Sequence, residues 1–200
     1  MRRTIDIVVA LLVLTLLSPL LLAIAVWIAI DSPGSPIYLA PRVGSGGRLF
    51  RMWKFRTMVR NAARVGPPIT GSNDPRVTRL GRRLRRLKLD ELPQFVNVLV
   101  GDMTLVGPRP EAPEMVARYT AEQRAVLDAK PGVTGRVQLE SDSEEATIPE
   151  DMAADEYYVR HLMSPKLRLD LEYLRTRTAG SDALIVLATA ALVLRSAIHK

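Results

Sequence analysis

The sequence predicts an α+β fold, mostly helical with a few short strands, held to a membrane through residues 1–31. Three observations carry that reading. An uncharged apolar stretch, Ile7–Ile30, stands near the start and a shorter one, Ala183–Leu194, near the end. Between them leucines recur at helical spacing among dense arginines. The extended patterns are short and bounded by glycine and proline. With 48% hydrophobic residues in 200, there is enough apolar material for a core as well as an anchor. A formal net charge of +7 favours anionic lipid, nucleic acid or phosphorylated ligands. The absence of cysteine excludes disulfides, thiolate nucleophiles and cysteine-ligated zinc. His161 and His199 are the only histidines, which argues against a histidine triad or a multi-histidine metal site. Catalysis in such a chain rests on carboxylates and cations.

As one straight helix, Ile7–Ile30 would extend about 36 Å, enough to cross a hydrocarbon core of about 30 Å. Ser18-Pro19 interrupts it. Pro19 removes the donor that would bond the Thr15 carbonyl, and its ring crowds the preceding turn, so a break is expected there. Each arm, at about 18 Å, is too short to cross alone. Ser18 can ease the broken ladder by bonding back to the Leu14 carbonyl. Positive residues flank both ends, Arg2 and Arg3 before and Arg42, Arg48, Arg51, Lys54 and Arg56 after. Because positive flanks favour the cytoplasmic side, a re-entrant helix–break–helix satisfies both and a kinked span only one. Asp6, beside Arg3, either pairs with it or caps the helix.

Asp31–Pro36 is a turn cluster that ends the anchor, and residues 32–200 then read as one cytosol-facing domain. Ile37–Pro41 and Leu49–Phe55 read as a hairpin around Gly44–Gly47. Asn61–Pro75, rich in Gly, Pro, Asn and Ser, reads as a mobile loop near the site. Arg76–Leu87 reads as a basic amphipathic helix with Leu80, Leu84 and Leu87 on one face, suited either to solvent or to anionic headgroups. Leu92–Val100 is an apolar helix closed by Gly101. Thr120–Gln123 has capping-box spacing for a helix to about Ala129. Val133–Leu139 reads as a strand, Ser141–Glu150 as an acidic loop, and Pro149–Leu162 and Lys166–Arg177 as helices. Gly180-Ser181 separates these from the last apolar run. That run is too short to span, so residues 183–195 form a core helix or an interfacial one.

Chemistry concentrates at Asp90-Glu91, within Arg85-Arg86-Leu87-Lys88-Leu89-Asp90-Glu91-Leu92-Pro93. Two readings are open. Asp90 can simply N-cap the next helix, with Pro93 in its first turn. Alternatively, the cations hold an anionic substrate, one carboxylate attacks phosphorus, and the other holds a divalent metal. A nucleotide diphosphate sugar would need all three parts. Asp90 at a helix N-terminus would also offer backbone amides to a phosphate oxygen. A carboxylate is ionised at neutral pH, needs no base, and forms a reactive acyl phosphate. Glu91 suits Mg2+, which takes oxygen ligands together with substrate phosphates. Arg85 can reach the same pocket if a short turn intervenes. Arg109, between Pro108 and Pro110, is conformationally restricted and loses less entropy on gripping a phosphate, or is merely an arginine in a rigid turn.

Several separated stretches together carry a family resemblance. They are Arg2-Arg3-Thr4-Ile5-Asp6; Ser18-Pro19; Trp53-Lys54-Phe55-Arg56-Thr57-Met58; Leu89-Asp90-Glu91-Leu92-Pro93-Gln94; Gly101 to Pro110; Lys130-Pro131-Gly132-Val133-Thr134-Gly135; and Asp155-Glu156-Tyr157-Tyr158. In this order, across almost the whole chain, the sequence resembles the bacterial sugar transferases, the small monotopic polyprenol-phosphate phosphoglycosyl transferases. The resemblance implies a re-entrant membrane helix broken at Ser18-Pro19, Asp90 as covalent nucleophile and Glu91 as Mg2+ ligand. It implies attack on the β-phosphate of a UDP-sugar with release of UMP. Transfer of the phosphosugar to polyprenyl (undecaprenyl) phosphate then follows. It also implies phosphate-holding roles for Arg85 and Arg109, and places Pro108-Arg109-Pro110 at the nucleotide. The setting implied is the cytoplasmic face of the bacterial inner membrane, at the first membrane step of glycoconjugate or exopolysaccharide synthesis.

Two positions depart from the family pattern. Arg136 stands where an aromatic residue is common, and Gly180-Ser181 replaces a bulky apolar pair. Asp155 and Tyr157 read as a helix cap and a core aromatic. A non-enzymatic adaptor bound to anionic membrane lipid explains the charge and the apolar ends, but not the Asp-Glu and Gly-Pro-Arg-Pro constellation. Nucleic-acid binding through Arg79–Lys88 explains only the charge, and no nucleic-acid partner is expected.

Overall fold

The computed structural model describes residues 2–66, 69–70, 74–140, 148–149 and 152–198. The expected acidic loop lies outside these apart from Ile148 and Pro149, as does His199.

The chain starts with α1 (Arg2–Leu16) and α2 (Ser18–Asp31), bent by 61° at Leu17. Among the described residues no single helix is long and apolar enough to cross a membrane. Pro19 causes the break, as expected, but Ser18 acts differently from the expectation. Its hydroxyl donates to the Thr15 carbonyl at 2.8 Å, not to Leu14. Thr15 is the acceptor that Pro19 orphans, so the hydroxyl stands in for the missing amide.

Both ends of this bent pair fasten to the same globular body. At the start, the Arg3 guanidinium donates to the Leu99 carbonyl at 2.7 Å and also to that of Val98. Asp6 neither pairs with Arg3 nor caps α1. It is buried and accepts from the Thr104 hydroxyl at 2.8 Å and the Leu105 amide at 3.1 Å. At the far end Arg56 gathers the carbonyls of Ser32 and Pro33 at 2.6 and 3.2 Å. Ile24 and Ile28 pack with Phe55, Leu80 and Leu84. The opposite faces, including Leu11, Leu12, Leu16, Leu22, Trp27 and Ile30, are exposed.

Strands β1 (Ile37–Val43) and β2 (Leu49–Phe55) form the expected antiparallel hairpin, with Ala40 opposite Met52. The expected loop at Asn61–Pro75 contains a short helix, α3 (Ala62–Val65), entered through Asn61 in the left-handed region. Helix α4 (Arg79–Arg86) is capped by Thr78, whose hydroxyl accepts from the Gly81 amide at 2.8 Å. Gly81 allows a close approach: a Cβ there would sit 2.0 Å from the Thr57 carbonyl oxygen. Leu80 and Leu84 are buried while Arg82, Arg83 and Arg86 face outward, the amphipathic pattern read from sequence. Lys88 then adopts a left-handed conformation (φ 56°) and turns the chain into a 3-10 turn, Leu89–Glu91.

Helix α5 (Gln94–Val100) follows and ends on Gly101 at φ 96°. Strand β3 (Thr104–Val106) pairs in parallel with β4 (Gly132–Thr134), Thr104 opposite Gly132. The strand expected over Val133–Leu139 is therefore shorter, and its second half is a helix, α7 (Arg136–Glu140). Gly107 and Gly132 approach so closely that a Cβ on Gly132 would lie 2.1 Å from the Gly107 nitrogen, which brings the β3 exit against the Lys130–Gly132 turn. Between these strands lie α6 (Pro113–Val116) and a 3-10 helix, Gln123–Asp128. The Thr120/Gln123 capping box forms reciprocally, at 2.9 and 3.3 Å.

The C-terminal helices are α8 (Ala154–Tyr157), a π-helical stretch Tyr158–Leu162, α9 (Met163–Thr176) and α10 (Ala179–Ile198). Ala153, without a side-chain cap, occupies the N-cap position expected of Asp155. Tyr157 stacks on His161 with ring centroids 4.7 Å apart, and the core aromatic is its neighbour Tyr158. Gly180-Ser181 does not separate the last two helices. It lies in the first turn of α10, where Thr178 and Ser181 cap each other at 2.9 and 3.0 Å. Ile185 is buried and the Thr189 hydroxyl lies 2.6 Å from that of Thr134, while Leu184, Leu187 and Leu192 are exposed. One face of α10 is thus core and the other bare.

Candidate active site

Four segments deliver the charged groups. The end of β2 supplies Lys54 and, just beyond it, Thr57; α4 supplies Arg85; the 3-10 turn supplies Asp90 and Glu91; the segment after β3 supplies Arg109. Asn97 aligns the first and third of these. It is fully buried on α5; its side-chain oxygen accepts from the Trp53 amide, and its nitrogen donates to the Arg51 carbonyl, each at 2.8 Å. One side chain thereby closes the open edge of β2 and sets α5, with the turn before it, against Lys54.

Glu91 is the electrostatic centre. Its Oε1 accepts from Lys54 Nζ at 3.1 Å and from Arg109 Nη2 at 2.7 Å, and its Oε2 lies 3.4 Å from Arg109 Nη1. Burial opposes charge on this carboxyl, but Arg109 and Lys54 outweigh it and hold Glu91 well below the usual glutamate range. Burial lowers the Lys54 ammonium, with Glu91 working against that. Asp90 behaves oppositely. Only 6% exposed, its carboxyl is pushed up by burial. Lys54 offsets part of that and the adjacent Glu91 charge adds to it, while Arg85 and Arg109 pull it back down. Among the described residues no hydrogen bond reaches the Asp90 carboxylate. It is not an N-cap: the following helix starts at Gln94 with Pro93 as its N-cap residue, so the helix-terminus amides lie one turn away from Asp90.

Asp90, Glu91 and Arg109, singled out in the sequence, are therefore brought together. Arg85 acts on Asp90 through its charge, and its Nε donates to the Thr57 hydroxyl at 2.9 Å. Pro108 and Pro110 are buried on either side of Arg109, and the Pro108 carbonyl accepts from the Gly132 amide at 2.9 Å. Arg136 is elsewhere, in an exposed pair with Glu140 at 2.6 Å. Sequence reasoning missed Lys54, Thr57 and Asn97 as site residues. A lysine between Trp53 and Phe55 in a short strand was the available signal for the first.

Two adjacent carboxylates offer hard oxygen ligands, and no third acidic or histidine group joins them among the described residues. That donor set fits Mg2+, which typically takes one or two carboxylates and completes its shell with substrate phosphate and water. Glu91 would hold it, and in this structure Lys54 and Arg109 neutralise that same carboxylate.

A family model described as Bacterial sugar transferase matches residues 1–196. A UDP-N-acetylgalactosamine-undecaprenyl-phosphate N-acetylgalactosaminephosphotransferase of Aeromonas hydrophila is 38% identical over 96% of this chain and 43% of its own length. A UDP-glucose:undecaprenyl-phosphate glucose-1-phosphate transferase of Escherichia coli is 38% identical over 94% and 39%. One with the same description from Caulobacter vibrioides is 38% identical over 94% and 67%. The chain thus spans about two fifths of the first two relatives and two thirds of the third.

Proposed function

The chain belongs to the bacterial sugar transferase family, and from that premise and the site geometry we propose that it moves a sugar-1-phosphate from a UDP-sugar to polyprenyl phosphate through a covalent aspartyl intermediate. The observation that carries the proposal is the contrast between two neighbouring carboxylates. Glu91 is committed to two cations, and Asp90 is buried beside the same cations with no hydrogen bond to its carboxylate among the described residues. One is held as a template; the other is kept available.

In the first step an Asp90 carboxylate oxygen forms a bond to the β-phosphorus of the donor. The bond from that phosphorus to the bridging oxygen breaks, and UMP leaves with the electron pair. Lys54 and Arg109 hold the phosphate oxygens, with Glu91 keeping both side chains in place beforehand. Arg85 adds positive charge beside Asp90. In the second step a phosphate oxygen of the polyprenyl carrier attacks the same phosphorus. The acyl–phosphate bond breaks, a diphosphate-linked sugar forms, and Asp90 returns as a carboxylate. Glu91 would hold a Mg2+ ion, which would supply Lewis-acid neutralisation of phosphate charge.

The proposal includes a membrane. Support for a re-entrant anchor comes from the two ends of the α1–α2 pair, both tied to one body by Arg3, Asp6 and Arg56. A helix pair that leaves and returns to the same domain dips into the bilayer and comes back out. The exposed leucines of α10 suit an interfacial position. The catalytic domain then faces the cytoplasm at the inner membrane, in keeping with the basic flanks. The test is a UMP-release screen with the full chain in nanodiscs, polyprenyl phosphate and a panel of UDP-sugars. At least one donor should release UMP. Binding to anionic lipid with no release from any donor would instead favour the adaptor.

A further inference from the structure

Helix α4 carries more arginine than the site uses. Arg85 turns inward, and its Nε donates to the Thr57 hydroxyl. Arg79, Arg82, Arg83 and Arg86 are exposed. They fall at i, i+3, i+4 and i+7, within an arc of about 100° around the helix, and α4 holds no acidic residue. Among the described residues none of the four has an ion-pair partner; the Arg82 guanidinium donates to the Val77 carbonyl at 2.9 Å. Like charges at these spacings repel, so the row opposes its own helix until an anion lies along it. The other side of α4 carries Leu80 and Leu84, packed with Ile24 and Ile28 of α2.

That packing sets the depth of α4. Ile28 and Ile24 precede the end of α2 at Asp31 by three and seven residues, about 5 and 10 Å along the helix. Trp27, exposed between them, is a residue type that settles at the membrane–water interface. The headgroup layer of one leaflet is about 5–8 Å deep, so α4 lies beside the anchor at the level of the lipid phosphates. We propose that the Arg79–Arg86 face of α4 binds the phosphates of anionic phospholipid headgroups in the leaflet that holds α1 and α2. This surface rests on the membrane placement proposed above and not on the transfer chemistry. Guanidinium groups suit the partner: they grip phosphate with paired donors, and basic residues are drawn to an anionic leaflet. A zwitterionic headgroup brings its own cation with the phosphate, so the face discriminates by net charge. Nucleic acid also offers a row of phosphates, but a helix held beside the anchor at this depth meets lipid.

The test is native mass spectrometry of the full chain released from neutral detergent, titrated with phosphatidylglycerol or with phosphatidylcholine of the same acyl chains. Wild-type protein should bind phosphatidylglycerol the more tightly, and that preference should shrink as ionic strength rises. A basic residue at an anionic leaflet is worth about fivefold, so Arg83→Gln with Arg86→Gln should weaken phosphatidylglycerol binding on the order of tenfold and leave phosphatidylcholine binding unchanged. Arg118→Gln with Arg124→Gln removes the same net charge from exposed positions on the surface over Met115, Val116 and Val126, away from α2, and should change neither. If the α4 variant does not fold, the salt dependence of the wild type makes the same decision. Wild-type protein without a headgroup preference, or equal losses in the two double variants, overturns the inference. So does binding of duplex DNA in place of phosphatidylglycerol, lost in the α4 variant. Headgroup preference in a chain that releases no UMP defeats the transferase reading alone; UMP release without the preference defeats this surface alone.

Discussion

Replacing each carboxylate of the Asp90-Glu91 pair by its amide should move stability in opposite directions. Glu91 is ionised and clamped; its folded pKa is depressed, so its contribution to stability is present above the unfolded value and lost as pH falls through the folded one. Glu91→Gln at neutral pH leaves Lys54 and Arg109 facing each other without their shared anion. Removing one member of a buried ion pair costs about 3 to 5 kcal/mol, and the lower end applies because Arg109 keeps 29% of its side chain in solvent. At about 2–4 °C per kcal/mol for a chain of this size, 3 kcal/mol is a fall in Tm of roughly 6–12 °C. Asp90 has a raised folded pKa, so its favourable contribution exists below the unfolded value and is lost as pH rises through the folded one. At neutral pH its buried charge is a cost that Asn removes, and Asp90→Asn should leave Tm unchanged or higher while abolishing UMP release. Thermal unfolding of both variants in one detergent, beside a turnover assay, makes the comparison. Equal loss of Tm in the two variants would refute the division of roles.

Three further outcomes follow from the same geometry. With Asp90 as the proposed nucleophile, turnover requires its ionised form, so kcat/KM should fall as pH drops through a value above that of an ordinary aspartate. Arg85→Ala, which removes a charge favouring ionisation, should shift that limb to higher pH; a shift to lower pH would contradict the assignment. Chelation of divalent cations should stop UMP release, and added Mg2+ should restore it; undiminished activity in chelator would remove Glu91 from its metal role. Asn97→Ala should cost about 1–3 kcal/mol for each buried backbone partner left unsatisfied at Trp53 and Arg51. It should also lower activity, because the Asp90 turn loses its tie to β2, and a folded variant with full turnover would break that link.

What was legible in the sequence was local. The Pro19 break, the hairpin, the Thr120 capping box, the glycine ending α5 and the Asp90-Glu91 pair each depend on a few adjacent residues. The contacts that assemble the site are not local. Asp6 finds Thr104 and Leu105, Asn97 reaches across to β2, and Lys54 meets Glu91, with no periodicity to announce any of them. Strands β3 and β4 are three residues each, too short for alternation, and form because glycines let Gly107 and Gly132 meet. Ser18 departs from the ordinary i−4 bond to Leu14 because proline vacates the acceptor at i−3, Thr15. Tyr157 and Tyr158 are adjacent aromatics, and only packing against α9 decides which one enters the core.

The bond between Asp90 and phosphorus is the claim from which the mechanism is built. Brief exposure of the full chain to a UDP-sugar that it turns over, with polyprenyl phosphate withheld, followed by proteolysis and mass spectrometry, observes it directly. The peptide containing Asp90 should gain the mass of one sugar phosphate and lose it when the acceptor is added. Sustained product formation with no such mass on that peptide, or with the mass on another residue, would contradict the account.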